Sequence, residues 1–219
     1  TMDFGIRPMA AEDIPQVAEI EREAFPTTWP PTPFKRDLGN KMARYLVVWS
    51  QWDGRAQSSA DSIPLEIPKP WMQRVFDGVR GLLGAPPELL HEDGDLIAGY
   101  VGLWFAVDEA HIVSIAVREA YRGLGLGELL LMGAIELAMA RRAQRVALEA
   151  RITNSPAHAL YEKYGFERVG VRKRYYSDNH EDAVLMNAEA ILSPAYQEMF
   201  RNCVDAFHQR RGEAVRTLA

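Results

Sequence analysis

Three glycines at alternate positions, Gly123, Gly125 and Gly127, join an apolar run to an apolar-striped helix, and this junction constrains the chain more than any other stretch. The run Ile112–Val117 is continuous and rich in Ile and Val, which reads as a buried strand. Beyond the glycines, Leu129, Leu130, Met132, Ile135, Leu137 and Met139 make a broad helical stripe. Arg122-Gly-Leu-Gly-Leu-Gly127 therefore leads a strand into a helix with several backbone N–H groups uncovered by side chains. Those donors sit at the positive end of a helix dipole beside Arg122, which suits a pyrophosphate. A tight turn that needs glycine for positive φ would also explain the cluster. A dinucleotide fingerprint needs GxGxxG directly after the strand, but Arg118–Tyr121 intervene and the spacing is GxGxG. The Gly-Lys-Ser/Thr of a P-loop is absent.

At 219 residues the chain can hold one domain with a sizeable core and some decoration. Hydrophobic content of 47% and a net charge of −5 describe an ordinary globular protein without the basic footprint of broad nucleic-acid binding. Arg168, Arg172, Lys173 and Arg174 form a local basic cluster, readable as a solvated strand face or as a functional patch. Cys203 stands alone, so a reducing, cytoplasmic setting is expected. No apolar run reaches membrane-spanning length, and no membrane partner is expected.

In order, the chain predicts a short strand at Phe4–Arg7 and a helix over Ala11–Ala24. A stiff, aromatic segment follows from Phe25 through Trp29 to Phe34, either a peptide-binding lip or a loop whose Trp29 plugs the core. Thr32 can cap a short helix from Pro33 to about Lys41. Strands are expected at Arg44–Trp49 and at Asp95–Ala106, the latter turning back through Asp108-Glu109 into His111–Val117 as an antiparallel pair. The glycine-loop helix should reach about Arg142 and feed a parallel strand at Arg145–Ala150. Asn154-Ser155-Pro156 opens another helix that Gly165 ends, and a final hairpin follows. Residues 50–94 interrupt this plan and contain an amphipathic helix over 70–83, suited to docking on the domain or to covering a cleft. Residues 191–219 add a helix whose Tyr196, Met199, Phe200, Val204 and Phe207 could pack onto the domain or onto a second copy in a homodimer. The elements imply a mixed α/β sheet with helices on both faces, one domain over 1–190 and a helical extension.

Arg122-x-x-Gly125-x-Gly127 resembles the R/Q-x-x-G-x-G/A signature of the GCN5-related N-acetyltransferases (GNAT), which follows a strand ending in a Val, as Val117 does. Ala147-Leu-Glu149-Ala-Arg151-x-x-Asn154-x-x-Ala157-x-x-Leu160-Tyr161-x-x-Tyr164-Gly165-Phe166 resembles a segment of the RimI-type protein N-terminal acetyltransferases. Arg174-Tyr-Tyr176, Glu181-Asp182-Ala183 and Met186 resemble that group's ending. The match spans about Ile112–Met186, and neither 50–94 nor the tail has a counterpart in it.

The resemblance implies a GNAT fold with acetyl-CoA as cosubstrate and no metal. It implies that the amides of Gly123, Leu124, Gly125, Leu126, Gly127 and Glu128, with Arg122, hold the pyrophosphate. Pantetheine would lie strand-like along Ile115, Ala116 and Val117, near Asn154 and Ala157. A backbone N–H near Val117 would polarise the thioester oxygen. By resemblance Glu149 is the general base and Tyr161 protonates the leaving sulfur. Read alone, Glu149 could equally be a strand-end carboxylate paired with Arg151, and Tyr161 a core aromatic. The expected acceptor is a protein N-terminus held by Phe25, Trp29, Tyr175 and Tyr176. An α-amine with pKa near 7.8 is roughly 14% neutral at pH 7 against about 0.04% for lysine, so one carboxylate has less work on a terminus. A small-molecule amine acetyltransferase and a non-catalytic acyl-CoA-binding module are the alternatives.

Overall fold

The computed structural model describes residues 2–27, 30–51 and 95–218. The chain divides into two units, Thr1–Ser50 with Leu96–Ala219 and Gln51–Asp95, and the sheet and its helices belong to the first. Trp29 and the helix expected over 70–83 lie outside the described residues.

Among the described residues seven strands form one sheet in the order β1-β2-β3-β4-β5-β7-β6. They are β1 (Gly5–Pro8), β2 (Ala43–Ser50), β3 (Leu96–Ala106), β4 (Glu109–Val117), β5 (Arg145–Arg151), β6 (Glu167–Arg172) and β7 (Ala183–Ala188). The β4–β5 pair is parallel, as a crossover through a helix requires, and every other pairing of these strands is antiparallel. The β3–β4 turn falls on Val107-Asp108, one residue earlier than expected, because Val107 takes the left-handed φ of 52° and Glu109 already pairs with Ala106.

Alternation along β2 shows how the sheet makes two cores. Leu46 and Val48 face one side, packed among α3 (Leu126–Ala140), α4 (Ser155–Lys163) and α5 (Pro194–Arg211). Tyr45 and Val47 face the other, packed with Val17 and Ile20 of α1 (Ile14–Ala24) and Phe34 of α2 (Phe34–Leu38). Helices therefore cover both faces. The expected Ala11–Ala24 helix starts as a 3₁₀ turn at Ala11–Asp13 before α1. Asp13 fixes this entry by accepting from Arg7 at 2.7 and 3.0 Å and from the Ala10 amide at 2.8 Å.

Two expectations change. Thr32 does not cap α2, whose N-cap is Pro33 without a side-chain bond. Its amide instead reaches Glu21 of α1 at 3.2 Å, and its hydroxyl donates to the same carboxylate. The second change concerns α3, expected to be striped but buried almost all round, from Leu126 and Leu129 to Ala138. The cause lies in the C-terminal extension. Tyr196, Phe200, Val204 and Phe207 of α5 bury their faces in the core of their own chain. The following residues then run beside β1, where the Ile6 amide donates to Val215 O and the Thr217 amide to Ile6 O, at 2.8 and 2.9 Å. Leu218 approaches Gly133 of α3 there.

Candidate active site

The apolar run that reads as a buried strand is buried at Ile112 and Ala116, and its other residues are partly or well exposed. β4 pairs with β5 from Glu109 to Ile112, opposite Arg145 to Leu148, and then the two strands part. On the other edge the β3 register shifts between Gly102, opposite Ser114, and Leu103, opposite Ile112, so Val113 is a bulge residue and half exposed. Past the bulge the Arg118 amide donates to Ala98 O at 2.9 Å. By the alternation of an antiparallel ladder, Ala116 then also points its main-chain groups at β3, whereas those of Ile115 and Val117 turn to the edge that β5 has left. The three residues grouped along the pantetheine path thus divide. Ile115 and Val117 offer main-chain donors and acceptors, and Ala116 faces the α1 core.

The wedge between the strands opens into a cleft of about 690 Å³. Among the expected residues, Ile115, Glu149, Asn154, Tyr161, Phe25, Tyr175 and Tyr176 line it. Ala157 packs against the core instead, and its amide donates to Asn154 Oδ1 at 3.3 Å, so Asn154 is first of all the cap of α4. The glycine loop stands at the far end of β4, after a 3₁₀ turn at Glu119–Tyr121. Gly125 is the N-cap of α3 at φ 85°, and Gly123 has φ 78° with nothing within 4 Å of where a Cβ would lie. Both conformations disfavour any side chain. The first helical bond is Leu129 N–H to Gly125 O at 3.0 Å, which leaves the amides of Leu126, Gly127 and Glu128 ahead of it with no capping side chain. Arg122 folds back, donating from Nε to Val117 O at 3.3 Å, and Leu124 is exposed at the loop's tip.

Glu149 is 9% exposed, and its partner is not Arg151. Oε2 lies 2.6 Å from His111 Nε2 and Oε1 lies 3.1 Å from Arg172 Nη1. With Glu149 ionised, the imidazole nitrogen is the donor. His111 is a site residue that the sequence reading missed. The signal was available in the register: His111 pairs with Ala147, so the period of two places it on the face that carries Glu149. Arg172 belongs to the basic cluster, whose members are mostly committed: Arg168 to Glu162, Lys173 to Asp182 and Arg172 to Glu149.

Arg151 has a different task. It pairs with Asp178 at 2.7 Å and Glu181 at 3.0 Å, and its guanidinium lies over the Tyr176 ring, 3.9 Å from the centroid. Hydrogen bonds from the Thr153 hydroxyl and amide, with Arg151 assisting, hold the Glu181 carboxyl down to about 2. Glu181 thereby pins the β6–β7 loop so that Tyr175 and Tyr176 stand at the cleft, edge to face at 5.2 Å. Tyr161 is 6% exposed, and burial, aided by Tyr176, pushes its hydroxyl up to about 12. It therefore stays protonated at neutral pH and can donate. Opposite, Glu21, Phe25 and Asp37 from α1, α2 and the segment between them line the cleft with Trp104 of β3. Those two carboxylates were also missed. Both are buried, Glu21 bonded to Thr32 and Asp37 to the Tyr45 hydroxyl at 3.1 Å.

Residues 51–166 match the model of the acetyltransferase (GNAT) family. A Bacillus subtilis protein provisionally named a ribosomal protein bS18-alanine N-acetyltransferase is 35% identical over 183 residues, 83% of this chain and 93% of the relative. An N-alpha-acetyltransferase of Sulfurisphaera tokodaii is 33% identical over 187 residues, 85% of this chain and 93% of its own length. The crystal structure of the ribosomal-protein-S18-alanine N-acetyltransferase from Escherichia coli superposes with a TM-score of 0.56 at 22% identity, covering 85% of this chain and 94% of that one. With the splayed β4–β5 pair and the bare loop ahead of α3, these likenesses establish that the chain is an acetyltransferase belonging to the GNAT family.

Proposed function

We propose that this enzyme transfers an acetyl group from acetyl-CoA to the α-amine of a protein N-terminus. The observation that carries the reading is Glu149, nearly buried on the β5 arm of the wedge and sharing one cleft with Tyr161 and an aromatic rim. The relatives named for alanine and N-alpha acetylation support the same acceptor class.

The residues present fit acetyl-CoA. The loop amides of Leu126, Gly127 and Glu128 offer uncapped donors for a diphosphate, with open space at Gly123. The outward groups of Ile115 and Val117 can pair with the amides of an extended arm. Bound there, the cosubstrate supplies an activated thioester. Glu149 takes the proton from the incoming amine, directly or through one water, and His111 and Arg172 hold its two oxygens in place. A main-chain N–H at Val117 stabilises negative charge on the carbonyl oxygen. Tyr161 gives its proton to the departing sulfur. Phe25, Tyr175 and Tyr176 flank the acceptor, and the carboxylates Glu21 and Asp37 make the cleft attractive to a cationic terminus.

The test is acetylation of two peptides by mass spectrometry, one with a free N-terminus and no lysine, the other N-terminally blocked with one lysine. Acetylation of the first alone is expected. Equal acetylation of both, or activity only on small amines such as polyamines, overturns the acceptor assignment.

A further inference from the structure

The C-terminus of α5 packs directly on the glycine loop, although the two lie far apart in the chain. A Cβ on Gly125 would lie 3.2 Å from the Phe207 ring and 3.3 Å from Arg211 Nε. Arg211 donates from Nη2 to Gly123 O at 3.0 Å, and Arg210 reaches Glu128 Oε1 at 3.3 Å. Lys163 of α4 is bonded to the same Glu128 oxygen. Arg122, Lys163, Arg210 and Arg211 thus gather at one loop in a chain of net charge −5. Among the described residues, Lys163 and Arg210 both pair with the carboxylate of Glu128.

Resting on the reading of that loop as the cosubstrate's phosphate site, we propose that Arg211, flanked by Arg210, is a second phosphate-binding element for coenzyme A, delivered by the C-terminal helix to the loop that opens α3. One N–H of Arg211 holds the Gly123 carbonyl. The carbonyl oxygen is thereby engaged, which offsets an acceptor that would repel an incoming anion. Arg211 is exposed beside the loop, and a guanidinium fork suits phosphate oxygens. Arg210 offsets the charge of Glu128, which would otherwise repel a phosphate at the start of α3. The ligand chemistry is the diphosphate and monoester phosphate of coenzyme A, and the effect acts on cosubstrate binding, not on the acyl transfer step.

The test is calorimetric titration of CoA and dephospho-CoA into the full chain and its Arg211→Ala, Arg211→Lys and Arg216→Ala variants, with KM and kcat for acetyl-CoA. Arg216 serves as the control, since it pairs with Glu136 at 2.6 Å and helps dock the same tail away from the loop. Arg211→Ala should weaken CoA about 10-fold, the value of one charged phosphate contact of roughly 1.4 kcal/mol. The loss should appear in KM with kcat kept and with thermal stability unchanged. Arg211→Lys should recover part of it. The ratio of CoA to dephospho-CoA affinity tells whether the monoester or the diphosphate is held. Arg216→Ala should lower stability and leave CoA affinity alone. Unchanged affinity in Arg211→Ala, or an equal loss in Arg216→Ala, overturns the proposal. If the unaltered chain itself fails to bind CoA, the fault lies in the phosphate-site reading.

Discussion

The two halves of β4 differ in what surrounds them, and the more apolar half is the one with the open edge. From Glu109 to Ile112 the strand is paired on both edges, and Ile112 is buried. From Val113 to Val117 β5 has gone, Val113 is half exposed, and alternate main-chain groups face an open edge. The first half is a structural member. On the function proposed above, the second half is a recognition surface made of backbone. Hydrophobicity does not mark the open half, because its apolar side chains still serve as packing and as cleft lining. Strand pairing separates them.

The sharpest contrast is between neighbours. Ile112→Ala should cost ~2–5 kcal/mol in denaturant unfolding, whereas Val113→Ala should stay within about 0.5 kcal/mol. Equal costs would mean that the strand is packed uniformly along its length. Next in size is Glu149→Gln, on the arm that leaves. It should lower kcat on the order of 10²-fold, about 2.7 kcal/mol in barrier, with CoA affinity near normal. A parallel loss of CoA binding would make Glu149 a structural ion-pair partner of His111 and Arg172 instead of a base. Gly125→Ala should follow, since a left-handed φ of 85° costs an alanine roughly 1–2 kcal/mol. Both thermal stability and CoA affinity should fall, and unaltered affinity would separate the loop from the cosubstrate. The smallest effect is at Glu181. Its carboxyl is depressed from 4.5 to about 2, so its stabilising contribution is present above 4.5 and is lost as pH falls towards 2. Glu181→Gln should flatten the unfolding midpoint against pH across that window only.

Much of the fold was legible because its signals are local. The β3–β4 hairpin, the parallel β5 and the capped α4 each follow from a turn, a crossover or a cap. The site was legible in part. Glu149 and Tyr161 were reached through a family pattern, and the cleft holds both. Their partners were not, because pairing across strands depends on register. Arg151 is Glu149's same-face neighbour in sequence, yet Arg172 and His111 from other strands reach the carboxylate. Thr32 fits the composition of a cap, but the nearby Glu21 took both its amide and its hydroxyl. The burial of α3 on its outer side was hidden too, since α5 and the strand-like tail that provide it lie more than 50 positions away. Long-range closure of this kind leaves little mark on a local apolar period.

On the function proposed above, main-chain donors on the open half of β4 and ahead of α3 hold the cosubstrate. Amide hydrogen exchange resolved by residue, with and without CoA, reads those donors one by one. New protection is expected at Ile115, Val117 and Leu126–Glu128, with Ala116 already protected in the free enzyme by β3. CoA binding that leaves those amides exchanging as before, or that protects only the paired residues Glu109–Ile112, would contradict it.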